Sequence, residues 1–213
     1  MRCLLVMGML CVSPAASPAD EPQRMPIYVT PYYDSKGPKI EVGPLSKELT
    51  DATAATIPAL ADKMKKEWPT LPVETMYVLA IRLFDLGHKD DAVYWFYSAQ
   101  WRGFLYRDCI PHGAPGGIGN PAFEHVQASK AFHQLAGQHI NPFAFGDLAK
   151  LQKTLETVQQ ENAKLPKLAA AYPDQKFIPE DQWPTKNEKI AAGFREMLQF
   201  IVNNPDAIKA MRK

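Results

Sequence analysis

Cysteine is scarce in this chain of 213 residues: there are three, and Cys3 and Cys11 fall in an N-terminal stretch that reads as removable. The mature protein would keep only Cys109, which excludes an intramolecular disulfide and any cysteine metal cluster. A lone cysteine is a small buried residue unless its thiol is activated or pairs between molecules. Charge of one sign is lacking too. Once Arg2 is removed, 23 basic residues stand against 23 acidic ones. A neutral, unpatterned chain has no electrostatic reason to bind nucleic acid or an anionic membrane surface. Long apolar runs are missing as well: the segment from Cys3 to Val12 is ten residues, too short for a membrane-spanning helix.

That short run has another meaning. Arg2 precedes it, and small residues and prolines follow, which is the layout of a secretory signal peptide. Ser17 and Ala19 stand where signal peptidase requires small side chains, so residues 1–19 are expected to be cleaved, leaving Asp20 as the first mature residue. Cys11 is preceded by Met9 and Leu10 rather than by small residues, which does not suit lipidation. The protein is expected to be exported, periplasmic or extracellular, without stable membrane insertion after cleavage.

Motifs that announce a reaction are also absent. There is no GxSxG elbow, no HExxH and no phosphate-loop lysine. Carboxylate pairs such as Asp90 with Asp91, or Glu180 with Asp181, sit at turns and helix starts, where capping accounts for them.

What is present is helical patterning behind an extended arm. In residues 20–45, Ile27 to Tyr33 and Lys39 to Val42 are aromatic and β-branched around a DSKG turn, predicting a short β-hairpin or paired extended arms. Pro31 and Pro38 confine such strands to edges. From Ser46 onward, 46–213 read as a single mainly α domain. Leu49, Ala52, Thr56, Ala59, Leu60 and Met64 recur at helical spacing, interrupted by Pro58, so two short helices or one kinked helix are expected. A Gly/Pro-rich loop fills 108–121. A helix from Ala122 is expected to stop near Gly137, and Asp147 to cap another through about Asn162. The segment LPKLAAAYPDQKFIPEDQWP is broken by four prolines and is expected to wrap the surface before a helix over Asn187 to Val202.

The most informative stretch is ETMYVLAIRLFDLGHKDDAVYWFYSAQWRG, Glu74 to Gly103. Met76, Leu79, Ala80, Leu83 and Phe84 make one apolar face, Gly87 ends that helix, and Ala92, Trp95, Phe96 and Ala99 make the facing stripe. Leu79, Ala80, Leu83, Gly87, Ala92, Phe96 and Ala99 fall at the offsets of the tetratricopeptide repeat. AVYWFYSAQWRG resembles still more closely the second helix of Sel1-like repeats, with Ala92, Trp95, Phe96, Ala99 and Gly103 in place. The resemblance covers about thirty residues and has no second copy. One hairpin cannot bury its own face, so it must pack on helices that are not repeats of it. Sel1-like and tetratricopeptide families are protein-binding scaffolds, so the resemblance implies a non-catalytic binding role, of which an immunity-type or adaptor protein with a single partner is one version.

Two sets of residues are candidates for a site. Tyr94, Tyr97 and Trp101, with Arg102, lie on a face partly distinct from Trp95, Phe96 and Ala99; exposed, they would be a partner surface, and on a central helix they would be core. The other set serves a different class, an exported enzyme or a small-ligand or metal-binding protein: His112, Gly116 and Gly117 of the loop with His125 and His133. The loop precedes a helix N-terminus that would favour an anion. His125 and His133 are two turns apart, about 12 Å by helix rise, and cannot share one metal ion without another element between them, so neither a metal nor a cofactor is expected. A structural envelope component is the third class.

Overall fold

The computed structural model describes residues 24–36, 39–111 and 116–211. The expected signal peptide, His112 and the first residues of the glycine loop lie outside them. The chain is mainly α, with a small sheet before the helices. The sheet has three strands, not two: β1 (Tyr28–Val29), β2 (Tyr33–Asp34) and β3 (Lys39–Ile40), antiparallel in the order β1-β2-β3. Val29 pairs with Tyr33, and Tyr33 with Ile40. Pro31 lies in a turn that splits the first apolar run into β1 and β2, since proline cannot donate to a ladder. The ribbon is held from below: the Met25 N–H donates to Asp85 Oδ1 at 2.9 Å, and Ile27, Val29, Tyr33 and Ile40 are buried.

A 3-10 turn (Gly43–Leu45) leads into α1 (Ser46–Asp51), where the Ser46 hydroxyl accepts from Val42 N–H and donates to the Gly43 carbonyl. Pro58 does not kink a long helix. It sits in the first turn of α2 (Ile57–Lys66), where its missing N–H costs nothing. After a 3-10 turn at Trp68–Thr70, α3 (Val73–Asp85) and α4 (Lys89–Cys109) form the hairpin read from the sequence. Gly87 supplies the turn with φ +89, a conformation costly for any side chain. Ala80 and Ala92 are fully buried.

The next helix corrects an expectation. α5 (Pro121–Ala144) runs straight through Gly137 and takes Pro142 into its last turns. Gly137 does not terminate it: a Cβ there would meet Phe96 at 3.3 Å, so the glycine serves close packing on α4. Gly103 is the reciprocal case, because a Cβ would come within 2.5 Å of the Ser129 hydroxyl of α5. Asp147 caps α6 (Leu148–Asn162) through the Lys150 N–H, as its position implied. The proline-broken segment does not merely wrap the surface. It contains the short α7 (Leu168–Ala171), buries Leu168, Tyr172 and Trp183, and is tied inward by Lys167 N–H to Pro69 and Ile178 N–H to Cys109 carbonyls. α8 (Trp183–Asn203) begins four residues before Asn187, because Pro184 fits a first turn. α9 (Pro205–Ala210) ends the described chain.

α4 is the centre of this arrangement, packed by α3, α5, α6 and α8. That explains why buried residues from Ala92 to Tyr106 fall on several faces rather than on one stripe. Among the described residues no helix is long and apolar enough to cross a membrane.

Candidate functional site

The central position of α4 decides the first candidate set. Tyr97, Trp101 and Arg102 are 4%, 1% and 1% exposed. They do not form a surface for a partner; their polar ends are used internally. Tyr97 OH donates to Asn141 Oδ1 at 3.0 Å, Trp101 Nε1 to Asn187 Oδ1 at 2.8 Å, and the Arg102 guanidinium to the carbonyls of Leu71 and Trp68. Burial lowers the Arg102 pKa to about 10, and the guanidinium lies against the Trp68 ring. Tyr94 alone is half-buried, hydrogen-bonded to Glu161 beneath Lys65. Helical spacing predicted that these residues share a face, but not that α5, α6 and α8 cover it.

The second set separates. His133 packs flat on Phe96, its Nδ1 unpartnered among the described residues, and burial lowers its pKa. Gly116 and Gly117 are exposed, and the loop's Gly119 N–H donates to Glu124 Oε1 at 2.9 Å. The chain's own carboxylate therefore takes a donor that an anion would need. Among the described residues no three His, Cys, Asp or Glu side chains group as metal ligands. Burial, with Asp108 adding to it, pushes the Cys109 thiol up to about 12, which leaves it protonated and unreactive at neutral pH.

His125 is different. It lies on the first turns of α5 and meets Glu74, the second residue of α3, which is 2% exposed. His125 Nδ1 is 2.8 Å from Glu74 Oε1, and Tyr172 OH donates to Glu74 Oε2 at 3.0 Å while accepting from Val73 N–H at 2.7 Å. A carboxylate buried in a protein interior costs several kcal/mol unless it is paired and hydrogen-bonded. Both oxygens are satisfied here, and the first turn of α3 adds a favourable dipole. Tyr32 OH approaches the same Nδ1 at 3.3 Å, and the Tyr172 and Tyr106 rings lie 4.8 and 5.8 Å from the imidazole. Burial, reinforced by Glu74 and Glu124, pushes the Tyr32 phenol up to about 12; burial and Glu74 raise Tyr172 well above the ordinary range. All these phenols stay neutral at physiological pH.

The cluster forms part of the wall of a cavity of about 680 Å³, where the turn before α1, the ends of α2, the start of α3, the start of α5 and the chain after α7 converge. Its apolar wall includes Val42, Leu45, Leu71 and Pro72; polar groups include Glu67, Lys63, Thr70 and Asp174. Pockets of this size hold small molecules. Glu74 and Tyr172 were not singled out from the sequence. Glu74 did carry a signal, a carboxylate at the start of a helix among the apolar residues Val73, Met76, Val78 and Leu79. Tyr172 carried none, since it lies among prolines almost a hundred residues from its partner.

No family model matches the chain, and no solved structure matches it. The chain is similar to a Haemophilus influenzae protein described as an uncharacterized protein: 27% identity over 209 residues, covering 91% of this chain and 76% of that one.

Proposed function

We propose that this is an exported ligand-binding protein whose cavity over Glu74, His125 and Tyr172 holds a small molecule. The observation that carries the reading is the buried carboxylate of Glu74, oriented by two side chains from distant parts of the chain beside an open cavity. The export half rests on the signal-peptide layout of residues 1–19. In this reading the Sel1-like hairpin is scaffold: α3 delivers Glu74, and α4 anchors the wall through Arg102 and the Leu71 carbonyl. The face of α4 that the sequence offered for protein binding does not carry this reading, because Tyr97, Trp101 and Arg102 are interior.

The test is capture. Mature protein incubated with small molecules of a periplasmic extract and examined by native mass spectrometry should carry a bound small molecule. An Ala170→Trp variant, filling the cavity from an exposed lining position, should not. Equal occupancy of the two proteins, or none in either alongside a captured protein partner, would overturn the proposal. An imidazole oriented by a carboxylate is also an acid–base pair, so an enzyme is the second reading; conversion of the captured molecule that His125→Asn abolishes would establish it.

A further inference from the structure

The hydrogen bonds of the Glu74 cluster determine which atoms remain for a ligand. Glu74 as a carboxylate is acceptor-only, so His125 Nδ1, 2.8 Å from Oε1, must carry a proton and donate it. In neutral imidazole the other nitrogen then has only a lone pair. His125 Nε2 makes no hydrogen bond among the described residues, and it is absent from their buried unpartnered atoms although the ring faces the cavity. In the neutral ring it is therefore an open acceptor. Tyr172 spends its proton on Glu74. Thr70 and Thr75 spend theirs on the carbonyls of Glu67 and Val42.

The charges at the mouth have the same polarity. Carboxylates of Glu41, Glu48, Glu67 and Asp174 line it; Glu41 is paired with Lys39 at 3.1 Å, and Lys63, the one lysine among the described lining residues, with Glu48 at 2.6 Å. Glu67 and Asp174 have no ion-pair partner among the described residues. Donors in the cavity wall are few among the described residues: the Tyr32 hydroxyl and the second N–H of the Gln175 amide, whose first is given to the Lys176 carbonyl. On a chain with formal net charge +1 this excess is local rather than general. Resting on the small-ligand reading above, we infer that the ligand is an organic cation, an amine that donates N–H to His125 Nε2 and places its charge between the carboxylates of Glu67 and Asp174. The half-buried Tyr32 ring in the lining suits the ammonium and its methylenes.

Titration calorimetry at low salt separates the charge classes, with spermidine as the cationic probe and adipate as the anionic one. Spermidine should bind saturably at one site and adipate should not. The paired change Glu67→Gln with Asp174→Asn removes two exposed charges and should weaken spermidine about tenfold without altering the fold. His125→Phe, which keeps a ring but removes the acceptor, should weaken it further. Adipate binding in preference, or spermidine binding indifferent to all three substitutions, would overturn the inference. A captured neutral or anionic molecule lost in Ala170→Trp would defeat the cation while leaving the pocket standing; no capture and no spermidine binding would defeat both.

Discussion

Two buried polar networks lie on opposite sides of α4, and they differ in one respect. On the α6 and α8 side, Trp101 Nε1 donates to Asn187 Oδ1, Asn187 Nδ2 to the Asn162 carbonyl, and Asn162 Nδ2 to the Val158 carbonyl. That chain is neutral, sealed and closed end to end. On the α3 and α5 side, Glu74, His125, Tyr172 and Tyr32 carry a formal charge, open onto a cavity and leave His125 Nε2 without a partner among the described residues. The first network has the form of a staple that fixes how α8 packs. The second keeps an acceptor that folding alone does not require, and an unused polar atom beside a cavity is where a ligand is to be sought.

Breaking each network should have different consequences. The largest effect is expected from Arg102→Ala, which empties a fully buried side chain and unpairs the Leu71 and Trp68 carbonyls: about 4 kcal/mol by chemical denaturation. It should also loosen the pocket wall, so binding and stability fall together. Asn187→Leu breaks the sealed network alone, stranding Trp101 Nε1–H. About 3 kcal/mol should be lost while ligand capture is retained.

Burial raises the Asp85 carboxyl to about 6, against the lowering by the Met25 N–H, Arg82 and Arg24, and its Oδ2 is unpartnered among the described residues. The folded pKa lies above the ordinary value of 3.8, so this group's stability contribution is complete below that value and is lost as pH rises through about 6. Wild type relative to Asp85→Asn should therefore lose about 2 kcal/mol between pH near 4 and pH near 7.5, read from urea midpoints at each pH. The effect is confined to the contact between α3 and the arm, where Met25 N–H donates to Asp85, and touches neither network. The smallest stability effect belongs to Glu74→Gln. The amide can keep the Tyr172 bond, so about 1 kcal/mol should be lost. Yet the substitution frees the His125 tautomer and should abolish capture. Stability that falls by several kcal/mol with binding intact would make this network a second staple and erase the contrast.

The sequence carried much of the fold and little of the site. Period and punctuation sufficed for α3, Gly87 and α4, because a helical hairpin is encoded within thirty residues. Asp147 as a cap was legible for the same reason. Gly137 misled because glycine has two meanings, chain termination and close approach, and only the Phe96 ring 3.3 Å from a would-be Cβ selects between them. His125 was among the candidates, but its grouping with His133 followed helix-face spacing, whereas its actual partners lie 51 and 93 residues away in sequence. Tyr94, Tyr97, Trp101 and Arg102 read as neighbours from helical spacing; whether they meet water depended on α5, α6 and α8.

By itself, then, the sequence determined the mainly α class, the hairpin and the absence of any familiar catalytic signature, since these depend on local periodicity and on residues close in the chain. The tertiary structure alone decided that the aromatic face of α4 is interior and that Glu74, His125 and Tyr172 meet. The physical reason is that burial and hydrogen-bond pairing are properties of neighbours in space. A carboxylate at one helix start, an imidazole at another and a phenol after a proline-broken segment acquire a joint meaning only when packing excludes water from between them.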